Sequence, residues 1–353
     1  MADGREAAGS VWAKGYLVTF ICRRRVEVPT FFKKVGSLIS IGGSVKLRSE
    51  FFSTQIFRYF GFLGYNPKSY ESFSNCAAGN IGRRSVEALA GSHELIAVDK
   101  VGIDLACGVE VRNIDLLARP DLLDELVARK RPDAIVHLAA LVGGVCDRRP
   151  EEARALNTSV TAWLAIKTNV PRFVFASSAA VYGRHVLRPL AEDTPPEPPT
   201  LYGRTKLEAE HAIEDVAGDG DTHFTTLRVF NVYGHGIEKS LVERLRTATA
   251  VQPAQLFGWN NFYRDYVHVD DVAIAIQSAA CAELETPGLK VVNIGSGVAR
   301  SNAMLVDEMT AAGVSVRYQR TGTEDLPDYS WADIGRAAEL FGFDPARHLV
   351  LDR

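Results

Sequence analysis

The feature that most constrains this chain is a regular alternation that starts near residue 94 and continues to residue 294. Short apolar runs recur at Glu94 to Asp99 (ELIAVD), Ala134 to Ala140 (AIVHLAA), Arg172 to Ser178 (RFVFASS), Thr225 to Val229 (TTLRV) and Val291 to Ile294 (VVNI). Between and before them lie stretches of helical pattern, at Ile81 to Ala90, Pro120 to Lys130, Glu151 to Lys167 and Leu207 to Val216. Strands that are apolar on both faces need cover on both faces, and helices linking successive parallel strands supply it. The pattern predicts an α/β domain over residues 74–353, built on a doubly wound parallel sheet. Its core reaches to about residue 230, and a smaller C-terminal lobe takes residues 231–353. Within that lobe Asp333 to Phe343 reads as a helix lying over the substrate region.

The 73 residues before the pattern differ in kind. They carry 11 Lys and Arg against 5 Asp and Glu, whereas the following 280 carry 29 against 38. Three readings are open for this basic segment, which includes Arg23-Arg24-Arg25 and several aromatic clusters. It is an Arg- and Ser-rich targeting peptide, an accessory segment packed on the main domain, or sequence foreign to the fold. The first strand favours the last reading. That strand should be a buried apolar run directly before Cys76, yet Pro67 to Ser74 reads PKSYESFS. A central strand this polar would bury unsatisfied groups. A chain that begins instead at a restored apolar strand is expected to express and melt better.

Composition narrows the function classes. A net charge of −3 argues against a nucleic-acid or anionic-membrane partner. No apolar run approaches the roughly 20 residues of a bilayer span. The five cysteines (Cys22, Cys76, Cys107, Cys146, Cys281) are scattered without a CxxC pair, which fits a reducing cytoplasm and offers no zinc site. No His/Asp/Glu cluster has metal-ligand spacing. His137 and His268 fall inside apolar strand sequence and read as core or strand-end histidines.

Two constellations carry chemistry. The first is Asn75-Cys76-Ala77-Ala78-Gly79-Asn80-Ile81-Gly82 at the start of the first helix. Such a loop turns backbone N–H groups toward a pyrophosphate, and glycines let it approach. Gly79 and Gly82 stand where a GxxGxxG loop has its second and third glycines, and Cys76 replaces the first. Asp99, 17 residues beyond Gly82, ends the second strand, where a carboxylate accepts both ribose hydroxyls. That acid repels a 2′-phosphate and so favours NAD over NADP, with the adjacent Lys100 pulling the other way.

The second constellation is Tyr202-Gly203-Arg204-Thr205-Lys206, a phenol and an ammonium four residues apart on one helix face. A lysine there is expected to lower the phenol from about 10 toward working pH, so that it can exchange a proton with an alcohol. Ser178 closes an apolar strand 24 residues earlier, inside Ser177 to Gly183 (SSAAVYG), and its hydroxyl is placed to hydrogen-bond a reacting oxygen.

With these residues in view the chain resembles the extended short-chain dehydrogenase/reductases, and within them the NAD-dependent sugar epimerase/dehydratase group. The resemblance covers roughly residues 75–345 and also rests on HLAA at 137–140, Asn157, LRVFNVYG at 227–234, RDYVHVDDV at 264–272 and NIGSG at 293–297. It implies a Rossmann-type sheet and NAD as cofactor. Ser178 would be the catalytic hydroxyl and Tyr202 the acid/base, with Lys206 lowering the Tyr pKa and holding the nicotinamide ribose. Further cofactor contacts fall on Cys76, Gly79, Asn80, Ile81, Gly82, Asp99, Lys100, Asp115 and Leu116 (the last two beside adenine), Leu138, Ala139, Ala140 and Asn157. Asn231 and Arg264 match positions that grip the nucleotide part of a sugar donor, although Arg264 also reads as a strand-end partner of Asp265 or Asp270. The group often forms homodimers through helices like 151–167 and 203–216.

Within the group, the 4,6-dehydratases carry Thr-Asp-Glu where this chain has Ser178-Ala179-Ala180, so no acid/base pair is present to expel water. Epimerisation of a nucleotide sugar by transient hydride transfer is the leading reading. A dehydrogenase or reductase acting on a sugar or uronic acid is the alternative, and a non-catalytic dinucleotide-binding protein is the third. Two departures bear on the substrate and the fold. Asn157 to Phe173 is about three residues short, close to one helical turn. The arginine that usually meets the sugar-nucleotide phosphate aligns with Gly322, leaving Arg320 as the nearby stand-in.

Overall fold

The computed structural model describes residues 19–22, 79–90, 93–101, 109–167, 169–183, 187–218, 220–321 and 327–351. In chain order its first elements are β1 (Thr19–Cys22), α1 (Asn80–Leu89), β2 (Ile96–Asp99), β3 (Glu110–Asn113), α2 (Pro120–Lys130) and β4 (Ala134–His137). Next come α3 (Gly144–Arg148), α4 (Pro150–Arg154), α5 (Thr161–Lys167), β5 (Arg172–Ser178), α6 (Leu201–Glu214), β6 (His223–Val229) and β7 (Asn231–Tyr233). Then follow α7 (Leu241–Thr247), β8 (Ala254–Leu256), β9 (Phe262–Arg264), β10 (Tyr266–His268), α8 (Val269–Cys281) and β11 (Gly288–Ile294). The chain ends with β12 (Arg300–Ser301), α9 (Asn302–Ala311), β13 (Tyr318–Arg320), β14 (Asp328–Ser330) and α10 (Gly335–Phe341).

The main sheet has seven strands in the order β11-β6-β5-β4-β1-β2-β3. Pairs β2–β3, β4–β5, β5–β6 and β6–β11 are parallel, as the alternating pattern predicts. All four residues of β2 and of β4 are buried, and Phe173 of β5 meets Phe224 of β6 at a centroid distance of 5.8 Å. His137 lies in this core, fully buried and stacked on Phe175 at 6.0 Å, with Nε2 3.1 Å from Thr161 Oγ1. Burial pushes its imidazole down to about 3. The edge strand β3 (EVRN) is polar and half exposed, which is why no apolar run marks it in the sequence.

One strand comes from an unexpected place. Thr19–Cys22, inside the segment read as foreign to the fold, occupies the middle of the sheet and runs antiparallel to both β2 and β4. Two buried apolar strands leave inner edges of unpaired backbone groups, and any adjacent strand must satisfy them. The sequence before Cys76, where the first strand was expected, lies outside the described residues, as do Cys76 itself and Gly322. The expected gain from trimming the N-terminus therefore depends on a new strand taking that slot. Deleting residues 1–73 without one is expected to lower Tm by at least 5 °C, read by calorimetry; an unchanged Tm would show that β1 contributes nothing.

The helices follow the expected spans with informative shifts. Residues 150–167 form α4, a π-helical turn over Ala155–Val160, and α5. Helix α6 begins at Leu201, six residues before the apolar periodicity suggests, because Thr200 caps it by accepting Gly203 N–H at 3.1 Å. Helix α10 lies against β11 and α8 and adds Ala337 to the main core, which corrects the expectation that it covers the substrate lobe. It turns sheetward because Ala337 and, just beyond its end, Phe343 are the apolar anchors there. The smaller lobe has its own core around Leu245, Leu256, Leu305 and Met309, with short pairs β7–β10 and β8–β13 and the triplet β12-β9-β14.

Candidate active site

Strand β5 delivers Ser178 to the C-terminal edge of the sheet, where open α/β sheets bind their ligands. The chain there enters a single 3-10 turn over Ala179–Val181, and Ser178 Oγ accepts Ala180 N–H at 3.2 Å. Helix α6 passes close over this turn. A Cβ on Gly203 would lie 2.4 Å from Ala180 O and 2.9 Å from Pro198 Cβ, so only glycine permits the approach. The approach sets Tyr202 and Lys206 against β5. The Ser178 hydroxyl hydrogen-bonds the Tyr202 phenol. Lys206 Nζ donates to Ala176 O at 2.7 Å and lies 4.5 Å from the centroid of the Phe175 ring. The three residues singled out by spacing thus meet at one point.

Their proton affinities depart from the expectation. Burial pushes the phenol of Tyr202 up to about 12, with Ser178 pulling it back. Burial pushes the ammonium of Lys206 down to about 7, opposed first by Glu210 and then by Cys146. The lysine therefore does not draw the phenol below its ordinary value in this arrangement. Loss of hydration is the larger effect on both groups, and it disfavours the charged form of each.

The cofactor half is assembled around α1. Gly79 is its N-cap and offers no side-chain acceptor, so the first backbone N–H groups stay available to an anion. Gly82 is buried, and Ile81 packs on the main core. Asn80 donates its amide to Gly236 O, tying the helix start to the second lobe. Asp99 is fully buried. Its Oδ1 accepts Val101 N–H at 2.9 Å, while Oδ2 is buried without a hydrogen-bond partner among the described residues. Desolvation pushes this carboxyl up to about 7, against the backbone N–H groups of Val101 and Lys100 and the charge of Lys100. A buried acceptor left open at the end of β2, and a bare helix start at α1, fit the ribose and pyrophosphate of a dinucleotide. Leu138, Ala139 and Ala140 follow β4 at the same sheet edge.

Three expected cofactor contacts are engaged within the protein. Leu116 is fully buried in the main core, so its side chain has no face to give adenine, and Asp115 Oδ1 accepts Leu117 N–H at 2.9 Å. Asn157 lies in the π-helical turn with its amide engaged inside the protein. It accepts Leu141 N–H at 2.8 Å and donates to Leu141 O at 2.9 Å and Thr205 Oγ1 at 3.0 Å. It binds the loop after β4 to the helix of Tyr202 and Lys206.

The second lobe adds a cavity of about 490 Å³. Asn231 and Arg264 both line it, together with Lys239, Arg244, Phe257 and Phe262. Its lining carries three cationic side chains and no carboxylate. Val229 of β6 pairs with Ser178 of β5, so Asn231 begins two residues beyond the strand end that faces the serine. Arg264 is ion-paired with Asp328 at 2.7 Å, not with Asp265 or Asp270, and its guanidinium lies 3.6 Å from the centroid of the Phe262 ring. Asp270 pairs with Arg84 at 2.6 Å, and Asp265 is enclosed by backbone donors. Arg320 stacks over Trp259 at 3.8 Å and does not line the cavity, where Arg244 and Lys239 supply the extra charge. Sequence spacing missed those two because they come from the segment around α7, which carries no motif. His268 proves to be a strand-end residue, its Nδ1 accepting Asp270 N–H at 3.3 Å. Among the described residues no cluster could hold a metal ion, and no helix is long and apolar enough to cross a membrane.

Comparison with known proteins bears on this arrangement. The model of the NAD dependent epimerase/dehydratase family matches residues 77–295. The UDP-glucose 4-epimerase of Yersinia pestis is 32% identical over 260 residues, covering 65% of this chain and 75% of that protein. The solved structure of MoeE5 in complex with UDP-glucuronic acid and NAD is 32% identical, with a TM-score of 0.66 over 76% of this chain and 92% of that one. A UDP-glucose 4-epimerase from Brucella ovis in complex with NAD is 28% identical, with a TM-score of 0.68 over 77% and 92%. With its Rossmann-type sheet and the family's motifs meeting at one sheet edge, the chain belongs to the NAD-dependent epimerase/dehydratase family of extended short-chain dehydrogenases/reductases.

Proposed function

We propose that this chain is an NAD-dependent epimerase of a nucleotide sugar, with Tyr202 as the group that takes and returns the sugar hydroxyl proton. The observation that carries the reading is the pairing of the Ser178–Tyr202–Lys206 cluster with a neighbouring cavity lined by three cations, three aromatic rings and no carboxylate. A diphosphate supplies the negative charge that such a lining lacks, and a flat base suits the exposed ring of Phe257. Two proteins similar to this chain are named UDP-glucose 4-epimerases, and MoeE5 is described with UDP-glucuronic acid and NAD, which supports a UDP sugar as the donor.

The residues divide the work. Gly79, Asn80 and Gly82 at the start of α1 would hold the NAD pyrophosphate, and Asp99 its adenine ribose. Bound NAD would supply a reversible two-electron acceptor, which makes a sugar carbon planar for a time and lets either configuration return. Ser178 orients the reacting oxygen, and Tyr202 accepts its proton. Lys206 in its ammonium form stabilises the Tyr202 phenolate that takes this proton, and the phenol so formed later returns it. With alanine at 179 and 180, no carboxylate stands beside Ser178 to remove water, so the sugar keeps all its oxygens. A cytoplasmic homodimer belongs to the same reading, as the family resemblance implies.

The test incubates the chain with NAD and UDP-glucose, follows absorbance at 340 nm and identifies the product sugar. Inversion at one carbon without net absorbance change supports the epimerase. Stoichiometric absorbance gain would transfer the reading to a sugar dehydrogenase. Arg244→Ala is expected to raise KM for the UDP sugar about tenfold with kcat within twofold, because the guanidinium contacts the part of the donor that does not react. Equal KM values would remove Arg244 from the binding set.

A further inference from the structure

Three consecutive residues of β5 are each tied to one of three successive turns of α6. Ser178 meets Tyr202, Ala176 O receives Lys206, and Ser177 Oγ donates to the carboxylate of Glu210. The first two ties belong to the proton chemistry proposed above. The third has no part in it, yet it is the most heavily built. Glu210 is 4% exposed, Arg228 6% and Ser177 4%. Arg228 grips Glu210 through Nε at 3.1 Å and Nη2 at 2.7 Å, and its Nη1 donates to Glu192 O at 3.0 Å. Its guanidinium also lies 4.8 Å from the centroid of the Tyr182 ring. Ser177 and Arg228 are register partners on β5 and β6, so they present a prepared cradle to the carboxylate.

We propose that Glu210 is a positioning residue for Lys206, its carboxylate fixed one helical turn away so that the lysine keeps its proton in a site that excludes water. The surroundings of Lys206 show why one is needed. The residue is 2% exposed. From α6 it faces Glu210, from α3 Cys146, from β4 His137, and from β5 the Phe175 ring and the Ala176 carbonyl. His137 is neutral in its core, and Cys146 is a thiol whose pKa burial raises, so both are uncharged at neutral pH. Glu210 is the one fixed anion in that set. The cradle fixes that carboxylate, because Arg228 Nε and Nη2 and Ser177 Oγ hold it through four hydrogen bonds.

The inference rests on the reading that Lys206 and Tyr202 carry the proton chemistry, and its test reads the lysine itself. Protein labelled with 13C at the lysine ε-carbon is titrated by NMR, with the Lys206 signal assigned by its loss in Lys206→Met. Wild type is compared with Glu210→Gln and with the double variant Glu210→Gln/Arg228→Gln, which spares the fold an unbalanced buried guanidinium. The Lys206 midpoint is expected to fall by about one pH unit in both variants. The alkaline limb of kcat should move by the same amount, so that turnover above pH 8 drops about tenfold while rates converge below about pH 5. In a Lys206→Met background, Glu210→Gln should add nothing further. An unchanged midpoint in the folded variants, or an equal loss of rate at every pH, would overturn the proposal. A displaced midpoint in a chain that turns over no sugar would instead reject the epimerase reading and leave the hold of Glu210 on Lys206 intact.

Discussion

Replacing Tyr202 by Phe is expected to lower kcat by about a thousandfold while leaving NAD affinity within about twofold, a size typical of losing a positioned acid/base group. The ring of Tyr202 packs against the main core, so Phe keeps the shape of the site and removes only the hydroxyl. That hydroxyl is the atom hydrogen-bonded to Ser178 and the one whose proton burial retains up to about pH 12. The NAD contacts proposed here lie on α1 and Asp99, which do not depend on the phenol. Stopped-flow or steady-state turnover, together with fluorescence titration of NAD, measures both quantities. Turnover within tenfold of wild type would remove Tyr202 from the proton path.

The second large effect is structural. Asp265→Ala is expected to destabilise the chain by about 4 kcal/mol, since three buried backbone donors would lose their acceptor. Asp265 is fully buried, and its two oxygens receive Ser296 N–H at 2.6 Å, Ser296 Oγ at 2.7 Å, Gly297 N–H at 2.9 Å and Ala332 N–H at 3.1 Å. Burial still raises its pKa, because desolvation outweighs those four donors. Its main-chain carbonyl accepts Asn231 N–H at 3.2 Å and Asn231 Nδ2 at 3.0 Å, so the same residue steadies a wall of the cavity. A fall in Tm of about 10 °C with a raised KM is the expected pair of results. A Tm within 2 °C of wild type would mean that water takes over the orphaned donors.

How far the sequence could be read depended on whether a property is local. Arg172–Ser178 was marked to the residue, because a run of aromatic and β-branched residues buried on both faces has no other stable home. The meeting of Ser178, Tyr202 and Lys206 was legible for a related reason. A strand end and a helix start that meet at the same sheet edge, with a Pro-rich stretch at 195–199 leading into the helix, leave little freedom. The polar edge strand β3 and the strand Thr19–Cys22 were not legible, since a neighbour's unpaired edge decides their place more than their own composition does.

Ionic partners were hidden in the same way. Asp265 and Asp270 stand near Arg264 in sequence, yet the arginine reaches Asp328 across a sheet while Arg84 takes Asp270. Lys239 and Arg244 gave no signal because charge on or just before a short helix is ordinary until a cavity forms beside it. The direction of the Tyr202 and Lys206 shifts could not come from spacing at all. It depends on how much water the packing of α6 on β5 expels.

The measurement that bears most directly on the proposed chemistry is the fate of deuterium placed at C4 of UDP-glucose. If Tyr202 serves a reversible oxidation within one closed site, the C4-inverted sugar carries the deuterium at C4 and no NADH accumulates at 340 nm. Loss of the deuterium to water, or its appearance in released NADH, would contradict epimerisation by this chain.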